Sequence, residues 1–257
     1  PGEKPAWVRD VKALAFIVPR AMAMAGDPWS TVDIPIYSYQ VVYPDHTAMI
    51  DTAMPRVNAI PEFMVRSYDD QAYARVQQAM DQTQLIVITH EHGDHIGGVA
   101  YHPNLKALFP KLRITDTQVA HPERMFPGKW PEHALDGYQP LHYEGYHAVA
   151  PGMVLVQATG HTPGSQLVYV KLADGKELLF IGDALWRMRN IEQQGERPRW
   201  TTAMVREDRH AVFGQVRAFH ALMQSEPGVK IIPGHDAGVI DALTQAGYLQ
   251  SGFALAP

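Results

Sequence analysis

The sequence predicts a mixed α/β (α+β) fold in which strands dominate and helices lie against them, and three observations point to it. Apolar or alternating runs of strand length are spread through both halves of the chain. Two stretches carry helical character, and histidines or aspartates stand where strand-like runs end. The order reads as two similar halves, each supplying strands followed by a helix. With 257 residues, 46% hydrophobic and 19% charged, the chain is expected to bury a substantial core as one domain over residues 1–257.

Taken in order, "VKALAFIV" (11–18) is far too short to cross a membrane and reads as a buried strand. Strands are expected at "IYSYQVVY" (36–43) and "TAMIDTAM" (47–54). "DDQAYARVQQAMD" (69–81) opens on carboxylates that suit a helix N-terminus, and "LIVIT" (85–89) is again a strand. Residues 110–150, rich in Pro, His, Gly and Tyr, are expected to form long loops that cover a site. Three further strands follow at 153–159, 166–172 and 177–183. The last two are joined by "ADGK", whose Asp-Gly pair tolerates positive φ and favours a hairpin. Val212, Val216, Phe219 and Met223 make a helical stripe, "VKIIP" (229–233) a late strand, and "VIDALTQAGYL" a short closing helix. No charge block, short repeat or long linker divides the chain.

Composition excludes several function classes. The formal charge of −5 gives no general attraction to phosphate backbones or anionic lipid, so nucleic acid is not an expected partner. With no cysteine there is no thiolate nucleophile and no disulfide, and a bound metal must be held by nitrogen and oxygen. No apolar run approaches a membrane span, so a soluble chain is expected, in cytoplasm or periplasm alike. The first residue is Pro1, so a leading segment, such as a cleaved signal, is expected to have been removed or left out.

The densest chemistry lies in "THEHGDHIGG" (89–98), directly after an apolar strand. Imidazole and carboxylate ligate borderline divalent cations, and a loop at a strand end can aim alternate side chains at one point. His90 and His92 could share one ion. Asp94 and His95 could turn toward a second, with Gly93 allowing the chain to bend and Gly97 and Gly98 allowing close backbone packing. His161 in "ATGHTPGS", Asp183 in "LLFIGDALW" and His235 in "KIIPGHDAG" repeat the pattern, each beside glycine at a strand end. Taken alone, His161 or His235 would read as an ordinary core or turn histidine; the shared context makes them ligands. The other eight histidines, His46, His102, His121, His133, His142, His147, His210 and His220, lack that context and receive no catalytic role.

These residues resemble the metallo-β-lactamase superfamily of hydrolases. Its H-x-H-x-D-H signature is matched by His90, His92, Asp94 and His95, its later motifs by His161, Asp183 and His235, and its early "IDTG" strand by "MIDTA" with Ala53 for glycine. The resemblance implies a four-layer αββα sandwich. It also implies a first metal on His90, His92 and His161, a second on Asp94, His95 and His235, and Asp183 bridging both. Zinc is the first expectation, while manganese, iron, cobalt and nickel also suit such a donor set. Two ions can lower the pKa of bound water to about 7 and hold a bridging hydroxide in attacking position, with Asp94 receiving or relaying a proton. Thr89 and Ser165 could orient ligands, or serve only as turn and cap hydroxyls.

Departures from subfamilies narrow the expected substrate. Dedicated β-lactamases of this superfamily place Cys or Ser where Asp183 stands. Glyoxalase-type thioesterases add a helical glutathione-binding domain after the last histidine, and the flavodiiron scaffold has glutamate in place of His92. Lactonases and esterases remain, including those acting on N-acyl homoserine lactones, so a small ester or lactone is the expected partner. Many such lactonases carry a tyrosine three residues beyond the bridging aspartate, where this chain has Trp186. Trp186, Arg187, Arg189 and Asn190 are candidates for a substrate wall, although the arginines also suit surface ion pairs. Tyr138, Tyr143 and Tyr146 read as packing residues before pocket residues. β-Lactams, thioesters and organophosphates stay open as substrates, as does homo-oligomer formation. Two other classes compete: a mononuclear iron oxidoreductase on the same scaffold, similar to persulfide dioxygenases, and a non-catalytic metal-stabilised interaction module.

Overall fold

The computed structural model describes residues 2–56 and 60–256. Its strands are β1 (Trp7–Pro19), β2 (Thr31–Val42), β3 (Thr47–Ile50), β4 (Val65–Tyr68), β5 (Leu85–Val87), β6 (Tyr146–Ala150), β7 (Met153–Gln157), β8 (Gln166–Lys171), β9 (Glu177–Phe180), β10 (Val229–Ile232) and β11 (Gln250–Ser251). One sheet runs β11-β1-β2-β3-β5 with β4 also on β1; the other runs β10-β9-β8-β7-β6.

Alternation of side chains across each strand sorts the apolar residues into layers. In β3, Ala48 and Ile50 enter the core between the sheets while Met49 faces outward; in β5, Leu85 and Val87 face inward and Ile86 outward. Leu178 and Phe180 of β9 meet them from the second sheet, and Leu179 points the other way. The outer face of the first sheet is covered by helices Asp70–Gln82 and Gly93–Ala100, through Val76, Met80, Ile96 and Val99. Helix Arg209–Ser225 covers the second through Val216 and Phe219. The result is the expected four-layer αββα sandwich.

Several elements follow the sequence closely. Asp69 caps its helix by accepting from the Ala72 amide at 2.9 Å. The Asp174-Gly175 hairpin closes with Gly175 at φ +91°. Val212, Val216 and Phe219 are buried, and Met223 is partly buried beside them. Other elements differ. The first strand is 13 residues long, from Trp7 to Pro19, because it pairs along most of β2. The strand expected over 47–54 stops at Ile50, because Asp51 (φ 56°) and Ala53 (φ 52°) are left-handed and turn the chain toward helix Gly93–Ala100. Residues 146–150 form an edge strand, although loops were expected there. β4 has no counterpart among the expected elements. Among the described residues no helix is long and apolar enough to cross a membrane.

Candidate metal centre

Every donor expected from the sequence lies at the end of a strand where two sheets and their loops converge. β5 delivers His90 and His92, and the helix that begins at Gly93 carries Asp94 and His95 in its first turn. The loop before β8 delivers His161, the turn after β9 Asp183, and the turn after β10 His235. The structure brings all seven together in two groups, within each of which the donor atoms lie within 4.8 Å of one another: His90, His92, His161 and Asp183, then Asp94, His95 and His235.

Asp183 sits between the groups. Its Oδ2 is 3.6 Å from His161 Nε2 and 4.0 Å from His90 Nε2, while Oδ1 is 3.3 Å from His95 Nε2 and 3.0 Å from His235 Nε2. Asp94 Oδ2 stands 3.7 Å from both His95 Nε2 and His235 Nε2.

The imidazoles are held from behind, and this fixes which nitrogen faces inward. His235 Nδ1 donates to the Pro35 carbonyl at 2.9 Å. His95 Nδ1 donates to Asp51 Oδ2 at 2.8 Å, and His161 Nδ1 lies 3.1 Å from Glu207 Oε2. In each case Nε2 is left for the centre. Asp51 also accepts from the Thr89 amide and hydroxyl at 2.7 and 2.8 Å, so Thr89 reaches the candidate ligand His95 through Asp51. Ser165 Oγ instead accepts from the Thr162 amide at 2.9 Å, a turn hydroxyl. Buried Glu91 ties the 89–95 loop to the 161–165 loop by accepting from Thr162 Oγ1 and, at 2.8 Å, from the Gly164 amide. Gly93 is the first residue of its helix, and its need is room: a Cβ there would lie 1.8 Å from the Pro127 carbonyl oxygen.

Electrostatics divides the donors. Burial pushes His90 and His92 well below the usual histidine range, aided by neighbouring imidazoles, so both stay neutral. Burial opposes charge on His95 too, but Asp94, Asp51 and Asp183 together carry it well above that range. Burial likewise disfavours charge on His235, yet Asp183 holds its proton in place. Burial raises the Asp94 carboxyl, whereas His235 and His95 overcome burial at Asp183 and hold it well below the usual carboxylate range. Such a nest of buried carboxylates calls for positive charge. Among the described residues, buried His90 Nε2, His95 Nε2 and Asp183 Oδ1 have no hydrogen-bond partner. Orphaned inward-facing donors of this kind fit divalent metal.

His92, Asp94, His161, Asp183 and His235 border a cavity of about 470 Å³ whose wall is largely apolar, formed by Phe16, Val18, Met22, Ile34, Ile60 and Met64. Glu123, Arg124, Phe126 and Pro127 also line it, so part of the 110–150 region does cover the site. Of the expected substrate wall only Trp186 borders this cavity. Immediately after it the chain turns into helix Met188–Glu192, which carries the following side chains to a separate small cleft beside Arg20 and Asp27. There Arg187 lies 3.8 Å from Asp236, Arg189 pairs with Asp27 at 3.1 Å, and buried Asn190 donates to the Ala23 carbonyl at 2.8 Å. Trp186 Nε1 donates to Asp183 Oδ2 at 2.8 Å. Tyr138 and Tyr143 spend their hydroxyls inside the fold, on the Ile114 amide and Gln166 Oε1. Sequence reasoning missed Glu91, Arg124, Arg197 and Glu207; only the strand-end position of Glu91 between two ligands offered a signal.

The chain is similar to known proteins in sequence and fold. A curated N-acyl homoserine lactonase from a Bacillus species is 24% identical over 182 residues, covering 65% of this chain and 70% of that protein. One from Bacillus thuringiensis is 24% identical over 187 residues with the same coverage. The fold overlays on a solved N-acyl homoserine lactone hydrolase with the product N-hexanoyl-L-homoserine bound at its catalytic metal centre. That match has a TM-score of 0.71 at 18% identity and covers 93% of this chain and 96% of the other. A dizinc quorum-quenching lactonase matches with a TM-score of 0.63 at 14% identity, covering 91% and 90%. The family model for the metallo-beta-lactamase superfamily matches residues 32–235, which span all seven donors, and the chain therefore belongs to that superfamily.

Proposed function

We propose that this chain is a dinuclear metal-dependent hydrolase, with zinc the first candidate, that opens lactones or cleaves related carboxylic esters. The observation that carries the reading is the convergence of seven donors in two groups with Asp183 between them, five of which (His92, Asp94, His161, Asp183 and His235) line a largely apolar cavity. The lactonase relatives and the product-bound neighbour support the substrate class. His90, His92 and His161 would hold one ion, Asp94, His95 and His235 the other, and Asp183 both. When bound, such ions supply water ionised at neutral pH, with a pKa of about 7, and polarise a carbonyl oxygen.

The chain's own residues do the rest. Asp94, which borders the cavity beside Asp183, is placed to take up a proton at Oδ2 and return it to the departing alkoxide. The apolar wall receives the acyl or aromatic part of the ester and excludes bulk water from the reacting carbonyl. Trp186 cannot replace a tyrosine hydroxyl, because its N–H is committed to Asp183. Arg124 offers one polar contact among Glu123, Arg124 and Arg206 of the wall: it is anchored by Nη1 to the Arg206 carbonyl at 2.8 Å and lies close enough to His92 to disfavour its charge.

The test is metal content per chain after purification without added metal or chelator, followed by a lactone and ester panel on the same sample. Two ions per chain with chelator-sensitive lactone or ester turnover is the expected result. One iron with oxygen consumption and no hydrolysis would replace this reading with the oxidoreductase one.

A further inference from the structure

Glu207 and Arg197 form an ion pair whose side chains are each only 1% exposed, Nη1 to Oε2 at 2.7 Å. Desolvating two charges costs about as much as their attraction returns, so a buried pair of this kind is weak evidence of stabilisation, and its partners show where it acts. The same Glu207 oxygen lies 3.1 Å from His161 Nδ1, and His161 turns Nε2 toward His92 Nδ1 at 3.0 Å and Asp183 Oδ2 at 3.6 Å. Arg197 also donates through Nη2 to the Asp183 carbonyl at 2.5 Å and through Nη1 to that of Ala184 at 3.3 Å. One guanidinium therefore grips both the carboxylate behind His161 and the backbone that carries Asp183.

Resting on the metal reading above, we infer that Glu207, clamped by Arg197, is a positioning residue for the first metal position. It accepts the Nδ1 proton of His161, fixes the tautomer with the Nε2 lone pair facing inward, and locks the ring against rotation. Asp51 does the equivalent for His95 in the other group, and both carboxylates reach their histidines from far along the chain, 44 and 46 residues away. Arg197 neutralises the carboxylate without competing for the imidazole proton, since a guanidinium only donates. A carboxylate behind a ligating histidine typically accounts for about 10–100-fold in metal affinity.

The test is competition against a graded chelator with zinc alone as probe, on wild type, Glu207→Gln, Glu207→Asp and the apolar pair Arg197→Met/Glu207→Leu. Thermal unfolding of the metal-free forms is measured in parallel. The inference expects wild type to hold two zinc ions; the apolar pair leaves no buried charge unpaired, which keeps the test usable if Glu207→Gln does not fold. That pair should release the zinc on His161 about 10–100-fold more readily and the other by a smaller factor, since Arg197 also holds the backbone of the shared Asp183. Glu207→Asp, which keeps a carboxylate, should recover affinity relative to Glu207→Gln; no recovery counts against the inference. Wild-type affinity for both ions in the apolar pair overturns the inference and leaves the metal reading standing. Equal weakening of both ions with a lowered metal-free midpoint assigns the pair a purely structural role. A wild-type protein that holds no zinc overturns the inference and the metal reading together.

Discussion

Gly98→Ala tests how the fold holds the metal centre. Gly98 lies in the helix that carries Asp94 and His95, and a Cβ there would fall 2.2 Å from the Thr52 carbonyl oxygen and 2.8 Å from the Thr52 Cβ. Relieving that contact means parting two backbone segments by roughly 1 Å, since ordinary carbon contacts begin near 3.5 Å. The same seam is stitched by the Thr52 amide to the His95 carbonyl at 2.7 Å, the Thr52 hydroxyl to the same carbonyl at 3.0 Å, and the Gly98 amide to Ala53 at 2.9 Å. Overpacking costs about 1–3 kcal/mol, and two weakened buried hydrogen bonds add about 1 kcal/mol each. Alanine's better helix propensity returns about 1 kcal/mol. The net loss is about 2–4 kcal/mol, which in a chain of this size lowers Tm by roughly 5–15 °C. Gly214→Ala is the control: it lies in helix Arg209–Ser225 with nothing within 4 Å of its Cβ, and should gain about 0.5–1 kcal/mol. Calorimetry and zinc content on both variants read the outcome, with zinc reduced only in Gly98→Ala. A Gly98→Ala protein that melts at or above wild type would falsify the reasoning, because propensity would then outweigh the contact.

Other outcomes follow from the same geometry. Asp51→Asn removes the charge that anchors Thr89 and His95, and should weaken zinc binding by about 10–100-fold in chelator competition, whereas unchanged affinity would reduce Asp51 to a turn residue. Asp183→Ala should lower metal occupancy and turnover together; retention of both metals with full activity would remove its shared-ligand role. Burial, reinforced by Asp241, pushes Asp10 up to about 6 from 3.8, so the folded state favours the protonated acid and loses stability as pH rises from about 4 to 6. Asp10→Asn removes that penalty. It should be more stable than wild type by roughly 2 kcal/mol at pH 8 in urea titrations, with the difference closing by pH 4; a pH-independent difference would contradict the assignment. Val18→Trp, which fills part of the cavity, should lower kcat/KM for long-chain esters more than for short ones; an equal loss on both would argue against an acyl-binding wall.

By itself the sequence determined which side chains could ligate metal and that strand ends would present them. Donor type is a property of each residue, and the switch from apolar run to glycine and histidine is local. It also determined that 47–50 and 85–87 would be strands, whereas sending Met49 outward and Ile50 inward was left to packing, since both are apolar. Tertiary structure decided what stands behind and around those donors. Asp51 meets His95 across 44 residues and Glu207 meets His161 across 46, contacts that no spacing rule encodes. The direction of the chain after Trp186 is likewise a matter of packing. The turn into helix Met188–Glu192 sent Arg187, Arg189 and Asn190 to another cleft and left the indole committed to Asp183. The cavity wall, assembled from β1, β2 and the 60–64 segment opposite the donors, exists only once both sheets have closed over the site, because its residues share no local pattern.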